Sequence, residues 1–462
     1  MNGPLYASVD VGTTRVKLGV FDETLNRIHS EYVSVPVGAD GLQGAEELFR
    51  TVKHLADRGK ELGAGSLGLS TYRASTVAWD RDGKPLTPIV TWTDRGSAAT
   101  YARLPAYVKL LGKIPPFDLV ISPYSPVLKF LRLRELNPSI PGGSMQWTVD
   151  AYLAYRLTGK FVSDATNACL TGIVDPRSMK EIGVVRSLFK LGMETPELVE
   201  NAQTIGSYGG MEVNALIADQ QAASVAEGAL EGGIGKVTNG TGSFVDIPTA
   251  GFARRGDLIP VVLLKHRGRV WFGIEGYLPT TGRAVEMMLA MGLLRDYSDL
   301  ESNPRGEVIF IPALSGLQVP RAPNARGVIA GLTLGSTGPA IVSGLLKSIA
   351  FHARLVLEQS GERLQALRAD GGLSRSDAVL KTISAVTRTK VERDVDTEAT
   401  SRGTAMLQLV ATGKASLQEL ARANREREAF AESGVAGFEE EYAKWKRLTE
   451  LLRSSKGSYL AE

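Results

Sequence analysis

The stretch Leu5-Tyr6-Ala7-Ser8-Val9-Asp10-Val11-Gly12-Thr13-Thr14-Arg15-Val16-Lys17-Leu18-Gly19-Val20-Phe21 decides how this chain is read. Residues 5–11 read as a strand. Residues 16–21 put Val16, Leu18 and Val20 on one face, the period-2 alternation of a second strand. Gly12-Thr13-Thr14 makes the tight turn between them. Residues 28–34 supply a third strand, and residues 43–62 a helix with Leu48, Val52, Leu55 and Ala56 on one side. The unit is an antiparallel meander followed by a helix. Backbone N–H groups in such a turn can bind phosphate, with the threonine hydroxyls as further donors. The Asp10 carboxylate can hold Mg²⁺ through water, because Mg²⁺ keeps most of its hydration shell. Taken alone, the same residues also make a plain hairpin with a surface aspartate.

A second unit of this kind begins halfway along. Residues 235–239 read as a strand, Gly240-Thr241-Gly242-Ser243 as a turn and Phe244–Ile247 as the return strand. Glycines there let backbone approach a phosphate closely. A third element starts at Leu367: a strand to Asp370, a Gly371-Gly372 turn, and a helix over Ser374–Thr387 with Ser374 or Ser376 as its cap. Residues 341–359 carry an amphipathic helix pattern through Leu345, Ile349, Ala353 and Val356. From about residue 416 onward the chain is highly charged and helical in pattern, as a solvated helix face requires. Two copies of one nucleotide-handling unit account for the length. A single core stops growing near about 250–300 residues, so 462 residues predict two domains. The division is placed at 1–227 and 228–462.

Composition narrows the classes. Hydrophobic residues are 43% and charged residues 22%, ordinary for a soluble globular protein. A net charge of +3 is too weak to imply nucleic acid or a membrane surface as partner. Cys169 is the sole cysteine, which excludes an intrachain disulfide and fits a reducing, cytoplasmic location. The N-terminus shows no signal-peptide pattern, and apolar runs such as Leu258–Leu264 are far shorter than the ~20 residues that cross a bilayer. His29, His54, His266 and His352 are scattered, with no pair spacing for zinc.

Two phosphate turns and a late Gly-Gly element match one architecture, the α/β fold of two actin-like ATPase (ribonuclease H-like) domains with a cleft between them. Within it the sequence resembles the FGGY carbohydrate kinases over nearly the whole chain. The clearest stretch is Ala218-Asp219-Gln220-Gln221-Ala222-Ala223. Others are Ile89–Arg95, Asp150–Gly159, Ile309–Gly316, Ala325–Leu332, Leu367–Arg393 and Thr400–Leu407. Residues 124–132 follow one family signature, except that Arg132 stands where a tryptophan is usual. The resemblance implies ATP and Mg²⁺ as cofactors, Asp219 as general base and Asp10 near the metal. It implies Thr13, Thr14, Arg15, Lys17, Thr241, Gly282, Glu286, Gly372 and Ser376 around the nucleotide.

Residues 70–80, STYRASTVAWD, look most like glycerol kinases. There an Arg-Glu pair binds the glycerol hydroxyls. Here Arg73 is kept and Ala74 replaces the glutamate. Trp92, Tyr124, Asp219, Gln220 and Phe244 match the other acceptor-contacting positions. The resemblance therefore implies a small-molecule acceptor, a glycerol-like polyol, in a pocket that lacks one carboxylate. A kinase for a pentulose or heptulose is the alternative, and a non-catalytic ATP-binding scaffold is the alternative of another class. The sequence leaves the oligomeric state open, a homo-oligomer included.

Overall fold

The computed structural model describes residues 3–115, 117–122, 125–141, 143–301, 307–396, 398–422, 426–431 and 438–455. It contains two compact units. One comprises Met1–Ala226, Val261–Trp271 and Ala399–Ala423, the other Glu227–Pro260, Phe272–Glu398 and Asn424–Glu462.

The first unit is built on strands β1 (Leu5–Val11), β2 (Arg15–Phe21), β3 (Arg27–Ser34), β4 (Ala64–Thr71), β5 (Ala202–Tyr208) and β6 (Met211–Ala218). They lie in the order β5-β6-β4-β1-β2-β3. The β1-β2-β3 meander is antiparallel, whereas β1, β4 and β6 run parallel. Both faces of β1 are buried, as its near-continuous apolar run requires. Helix α1 (Ala45–Glu61) covers one face with Leu48, Val52, Leu55 and Ala56. Glu46 and Glu47 in its first turn and Arg58 and Lys60 in its last complement the helix dipole. Among the helices that follow are the short α2 (Ala165–Ala168) and α3 (Asp219–Ala226), the latter directly continuing β6.

The second sheet repeats this topology. Its strands are β7 (Ile234–Asn239), β8 (Ser243–Thr249), β9 (Ile259–His266), β10 (Arg269–Leu278), β11 (Ala366–Asp370), β12 (Lys390–Asp394) and β13 (Arg427–Phe430). The order is β9-β10-β8-β7-β11-β12-β13. β7, β8 and β10 form the antiparallel meander; β7, β11 and β12 run parallel; β13 closes the edge antiparallel to β12. Apart from the added β9, each strand has a counterpart in the first sheet. Helices α4 (Thr281–Ala290), α5 (Gly338–Ser360) and α6 (Asp377–Thr387) belong to this unit. Among the described residues α5 is the one helix long and apolar enough to span a membrane, and most of it is buried in the second core. A Cβ on Gly276 would lie 2.5 Å from Val356, which is how closely the sheet approaches α5.

Three expectations are corrected. The two halves are not uninterrupted: α7 (Ala399–Ala411) belongs to the first unit. Its Gln408 receives a hydrogen bond from Ser66 Oγ at 2.6 Å and donates to the Ala7 carbonyl at 3.0 Å and to Ser8 Oγ at 3.2 Å. Gly403 permits this packing, since a Cβ there would overlap the Ala222 carbonyl oxygen of α3 at 1.8 Å. Second, the segment from residue 416 is not all helix. It includes β13, followed by a helix over Phe438–Ser454 whose apolar side, Phe438, Tyr442 and Trp445, is buried. Third, Ser376 occupies the N-cap position of α6 without a capping hydrogen bond, and Ser374 instead donates to the Asp370 carbonyl at 2.6 Å.

Candidate active site

In the first unit candidate side chains lie at or just beyond the carboxyl ends of β1, β4 and β6 and in the turn after β1. Asp10 pairs in register with Lys17 of β2 and Ser70 of β4. Asp10 is 8% exposed, and Ser70 Oγ donates to its Oδ1 at 3.1 Å. The Gly12–Thr14 turn is tied on three sides. Gly12 N–H donates to the Arg15 carbonyl at 2.9 Å, Gln43 Nε2 to the Thr13 carbonyl at 2.9 Å, and Val35 N–H to the Thr14 carbonyl at 2.9 Å. A Cβ on Gly12 would sit 2.8 Å from the Arg15 oxygen, so the turn requires glycine. Thr13 and Lys17 are half-buried and Thr14 is exposed. Arg15 is exposed, with its guanidinium 5.1 Å from the centroid of the Tyr32 ring on β3, a cation–π contact.

Asp219 is the first residue of α3 at the end of β6. The Gln220 N–H donates to its Oδ1 at 2.7 Å. Arg73, two residues past β4, places Nε 3.7 Å from the same oxygen. Both remain partly accessible, with side-chain exposures of 25% for Asp219 and 11% for Arg73. β4 and β6 are adjacent and parallel, with Thr71 opposite Ala218, so the sheet itself brings these two side chains together. Ala74 adopts φ +56°, the left-handed region that costs a residue with a Cβ about 1–2 kcal/mol. The next residue holds the segment in place. Ser75 Oγ donates to the Arg73 carbonyl at 3.0 Å and receives the Trp92 N–H at 2.9 Å. Trp92 then reaches the Gly12–Thr14 turn, its Nε1 donating to Thr13 Oγ1 at 2.9 Å. Tyr124 lies outside the described residues.

Behind Asp219 stands a cluster of buried polar groups that the sequence reading missed. Asp150 and Asp164 are both fully buried. Ser163 Oγ donates to Asp150 at 2.6 Å, and the Asp164 N–H donates to the same oxygen at 3.2 Å. Burial and then the neighbouring Asp164 charge push the Asp150 carboxyl up to about 7. Asp-Ala-Thr at 164–166 is an N-cap pattern and was the one signal available for part of this cluster.

In the second unit the candidate residues surround the turn after β7. Asn239 pairs with Ser243, whose Oγ donates to Asn239 Oδ1 at 2.8 Å, while Asn239 Nδ2 donates to Ser374 Oγ at 3.1 Å. Three glycines pack backbone against backbone here. A Cβ on Gly282 would lie 2.5 Å from the Gly240 oxygen, one on Gly371 2.6 Å from the Asn239 oxygen, and one on Gly242 2.8 Å from the Leu278 oxygen. Thr241 and Gly372 are exposed around this knot. Ser376 Oγ is buried without a protein partner among the described residues. Phe244 stacks on Tyr277 with centroids 5.1 Å apart. Glu286 is exposed and paired with Arg283 at 2.8 Å, one turn along α4 from Gly282. Among the described residues no cluster of three acidic, His or Cys side chains could hold a metal. Any Mg²⁺ would therefore rest on one carboxylate, water and the phosphates, a limited part that the largely buried Asp10 could fill.

A glycine–threonine turn at the head of each of two like sheets, with a carboxylate–arginine pair beside one of them, is the arrangement expected of a kinase of the actin-like fold. The family comparisons give the same class. Residues 5–208 match the N-terminal domain of the FGGY family of carbohydrate kinases, and residues 274–412 match its C-terminal domain. An uncharacterized sugar kinase of Archaeoglobus fulgidus is 30% identical, covering 97% of this chain and 99% of its own. A glycerol kinase of Thermus brockianus is 31% identical over 83% of each. Among solved structures, Plasmodium falciparum glycerol kinase with ADP superposes with a TM-score of 0.85 at 24% identity, covering 97% of this chain and 98% of that one. A xylulose kinase of Lactobacillus acidophilus gives 0.83 at 18%, covering 99% of both. The chain belongs to the FGGY family of carbohydrate kinases, phosphotransferases with an alcohol group as acceptor.

Proposed function

We propose that this kinase transfers the γ-phosphoryl group of ATP to a hydroxyl of a small, glycerol-like polyol, with Asp219 as general base. The observation that carries the reading is the placement of Asp219 and Arg73 at the ends of adjacent parallel strands, both partly accessible. Asp219 takes the acceptor proton as the oxygen attacks phosphorus, and ADP leaves. A positioned base of this kind contributes about 10²–10⁴-fold. Arg73, Trp92, Tyr124, Gln220 and Phe244 orient the acceptor. Thr13, Thr14, Lys17 and Thr241 meet the phosphates, and positioning of this kind supplies much of the remaining rate. Arg15, stacked on Tyr32, neutralises phosphate charge from the edge of the turn. Gly282, Glu286, Gly372 and Ser376 line the adenosine end, where the unpartnered Ser376 hydroxyl offers a hydrogen bond. The base and most of the acceptor residues thus belong to the first unit, and the residues of the adenosine end to the second. Mg²⁺, held near Asp10, would neutralise charge on the β- and γ-phosphates.

Asp219→Asn is expected to lower turnover by at least about 10³-fold while ATP binding, followed by calorimetry, persists. Wild-type turnover in that variant would sink the base assignment. A panel of polyols and ketoses, read by ADP release, tests the acceptor. A pentulose or heptulose is the second reading, favoured by Ala74: no carboxylate stands there to accept hydroxyl hydrogen bonds, each worth about 1.5–3 kcal/mol. Faster turnover of a ketose than of glycerol would replace the first reading with the second. The composition fits work on metabolites in the cytoplasm.

A further inference from the structure

The buried cluster behind Asp219 is hydrogen-bonded to the two strand ends that carry the proposed acceptor pair, at Ala218 and at Thr71. Asp164 Oδ1 accepts hydrogen bonds from the Thr166 N–H at 2.8 Å, the Asn167 N–H at 3.1 Å and Asn201 Nδ2 at 3.2 Å. It also accepts the Thr166 hydroxyl proton, and Oδ2 accepts Asn167 Nδ2 at 2.8 Å. A hydroxyl has one proton to give. With that proton committed to Asp164, a lone pair of Thr166 Oγ1 faces outward, and it receives the Ala218 N–H at 2.9 Å. Ala218 immediately precedes Asp219. The carboxylate likewise fixes which way the Asn167 amide points, so that Nδ2 also donates to Thr71 Oγ1 at 3.1 Å. Thr71 lies two residues before Arg73, and it is the register partner of Ala218. Asp164, Thr166, Asn167 and Thr71 are all at most 1% exposed.

We propose that Asp164 is a positioning residue: through Thr166 and Asn167 it clasps the ends of β6 and β4 and sets the reach of Asp219 and Arg73 toward the acceptor. The inference rests on Asp219 and Arg73 acting as proposed above. Ordinary packing at the α2 N-terminus would require the shape of Thr166, whereas the clasp requires its hydroxyl.

Substitutions that separate shape from hydroxyl provide the test. Thr166→Val keeps the shape and is expected to lower kcat at least about 10-fold, measured by ADP release with the fastest acceptor of the panel, since small displacements of reacting groups are costly. The dissociation constant for ADP stays within about twofold, because no group of the nucleotide end is touched. Thr166→Ser, which loses the methyl and keeps the hydroxyl, recovers most of the loss. If Thr166→Val does not fold, Asp164→Asn carries the same measurement. Wild-type kcat in Thr166→Val, or a Ser variant as impaired as the Val variant, overturns the clasp. Full activity of Asp219→Asn, measured alongside, would remove the group being positioned and the clasp with it, and identifies that failure as belonging to the base assignment.

Discussion

The turns after β1 and after β7 occupy equivalent places in two sheets of the same topology, yet they are built from opposite materials. The first is a side-chain site. It carries a carboxylate at Asp10, hydroxyls at Thr13 and Thr14, and an ammonium at Lys17, with Ser70, Gln43 and Trp92 holding it from neighbouring segments. The second is a backbone site. Asn239 stands near the strand end where the first sheet has its acid, and both ends of its amide are engaged by Ser243 and Ser374. Gly240, Gly242, Gly282 and Gly371 bring main chain within reach of main chain. A side-chain site can place charge and hold a hydrated cation. A backbone site offers N–H groups and lets a large flat ligand come close. On the function proposed above, the duplicated scaffold would be divided between phosphate chemistry with a metal and nucleotide binding without one.

The largest expected effect comes from exchanging the two chemistries. Asp10→Asn removes the carboxylate proposed to hold the hydrated Mg²⁺ and should lower turnover by about 10²–10³-fold, the usual cost of weakening one charge-neutralising contact to the transferring group. The reciprocal Asn239→Asp places a negative charge beside the second turn and should weaken ADP binding, read by calorimetry. If Asp10→Asn were mild and Asn239→Asp left ADP affinity unchanged, the contrast between the turns would have no functional content.

A smaller effect is expected from Gly371→Ala. Gly371 has φ +86°, and the added Cβ would lie 2.6 Å from one backbone oxygen and 3.1 Å from a backbone nitrogen. Strain of about 1–3 kcal/mol follows. Thermal unfolding should show the loss, and ADP binding should weaken as the knot opens. The same substitution at Gly372, where a Cβ would meet nothing within 4 Å, should cost little stability. Equal destabilisation at the two positions would count against a backbone-packed site.

Much of this contrast was legible in the sequence, because it depends on local features. Alternation in residues 5–21, a Gly-Thr-Thr turn and an acid near a strand end all act over a few residues. Asp219 was legible through the Ala218-Asp219-Gln220 stretch. What was hidden depends on partners far along the chain. The return of α7 to the first sheet turns on Gly403 against Ala222 and on Gln408 reaching Ala7 and Ser66. No local pattern announces a contact across some four hundred residues. The left-handed backbone at Ala74 was hidden because alanine is not a residue that signals positive φ. The Asp164 clasp was hidden because Asn167 meets Thr71, and Thr166 meets Ala218, only after β4 and β6 have been assembled beside α2.

The smallest effect distinguishes the two units by pH. The first unit buries two carboxylates side by side with no buried cation among the described residues acting on them, whereas the second buries Lys236 at 2.8 Å from Asp246, with the buried Asp370 and Glu275 also acting on it. Burial, and then the charge of Asp164, raise Asp150 in the folded chain to about 7, well above its ordinary carboxyl value. A raised folded value means that the native state binds this proton more tightly than the unfolded chain does. Its contribution to stability is therefore complete below the unfolded value and is lost as pH rises through the folded one. Stability should decline between about pH 4 and pH 7 on this account, even though most carboxylates in salt bridges push the other way. Asp150→Asn mimics the protonated acid and can still accept from Ser163 and from the Asp164 N–H. Denaturant unfolding across that window should show a shallower decline in the variant than in the parent. Parallel curves would mean that Asp150 is already ionised in the fold, with its charge supported by Ser163 and Asp164 N–H alone.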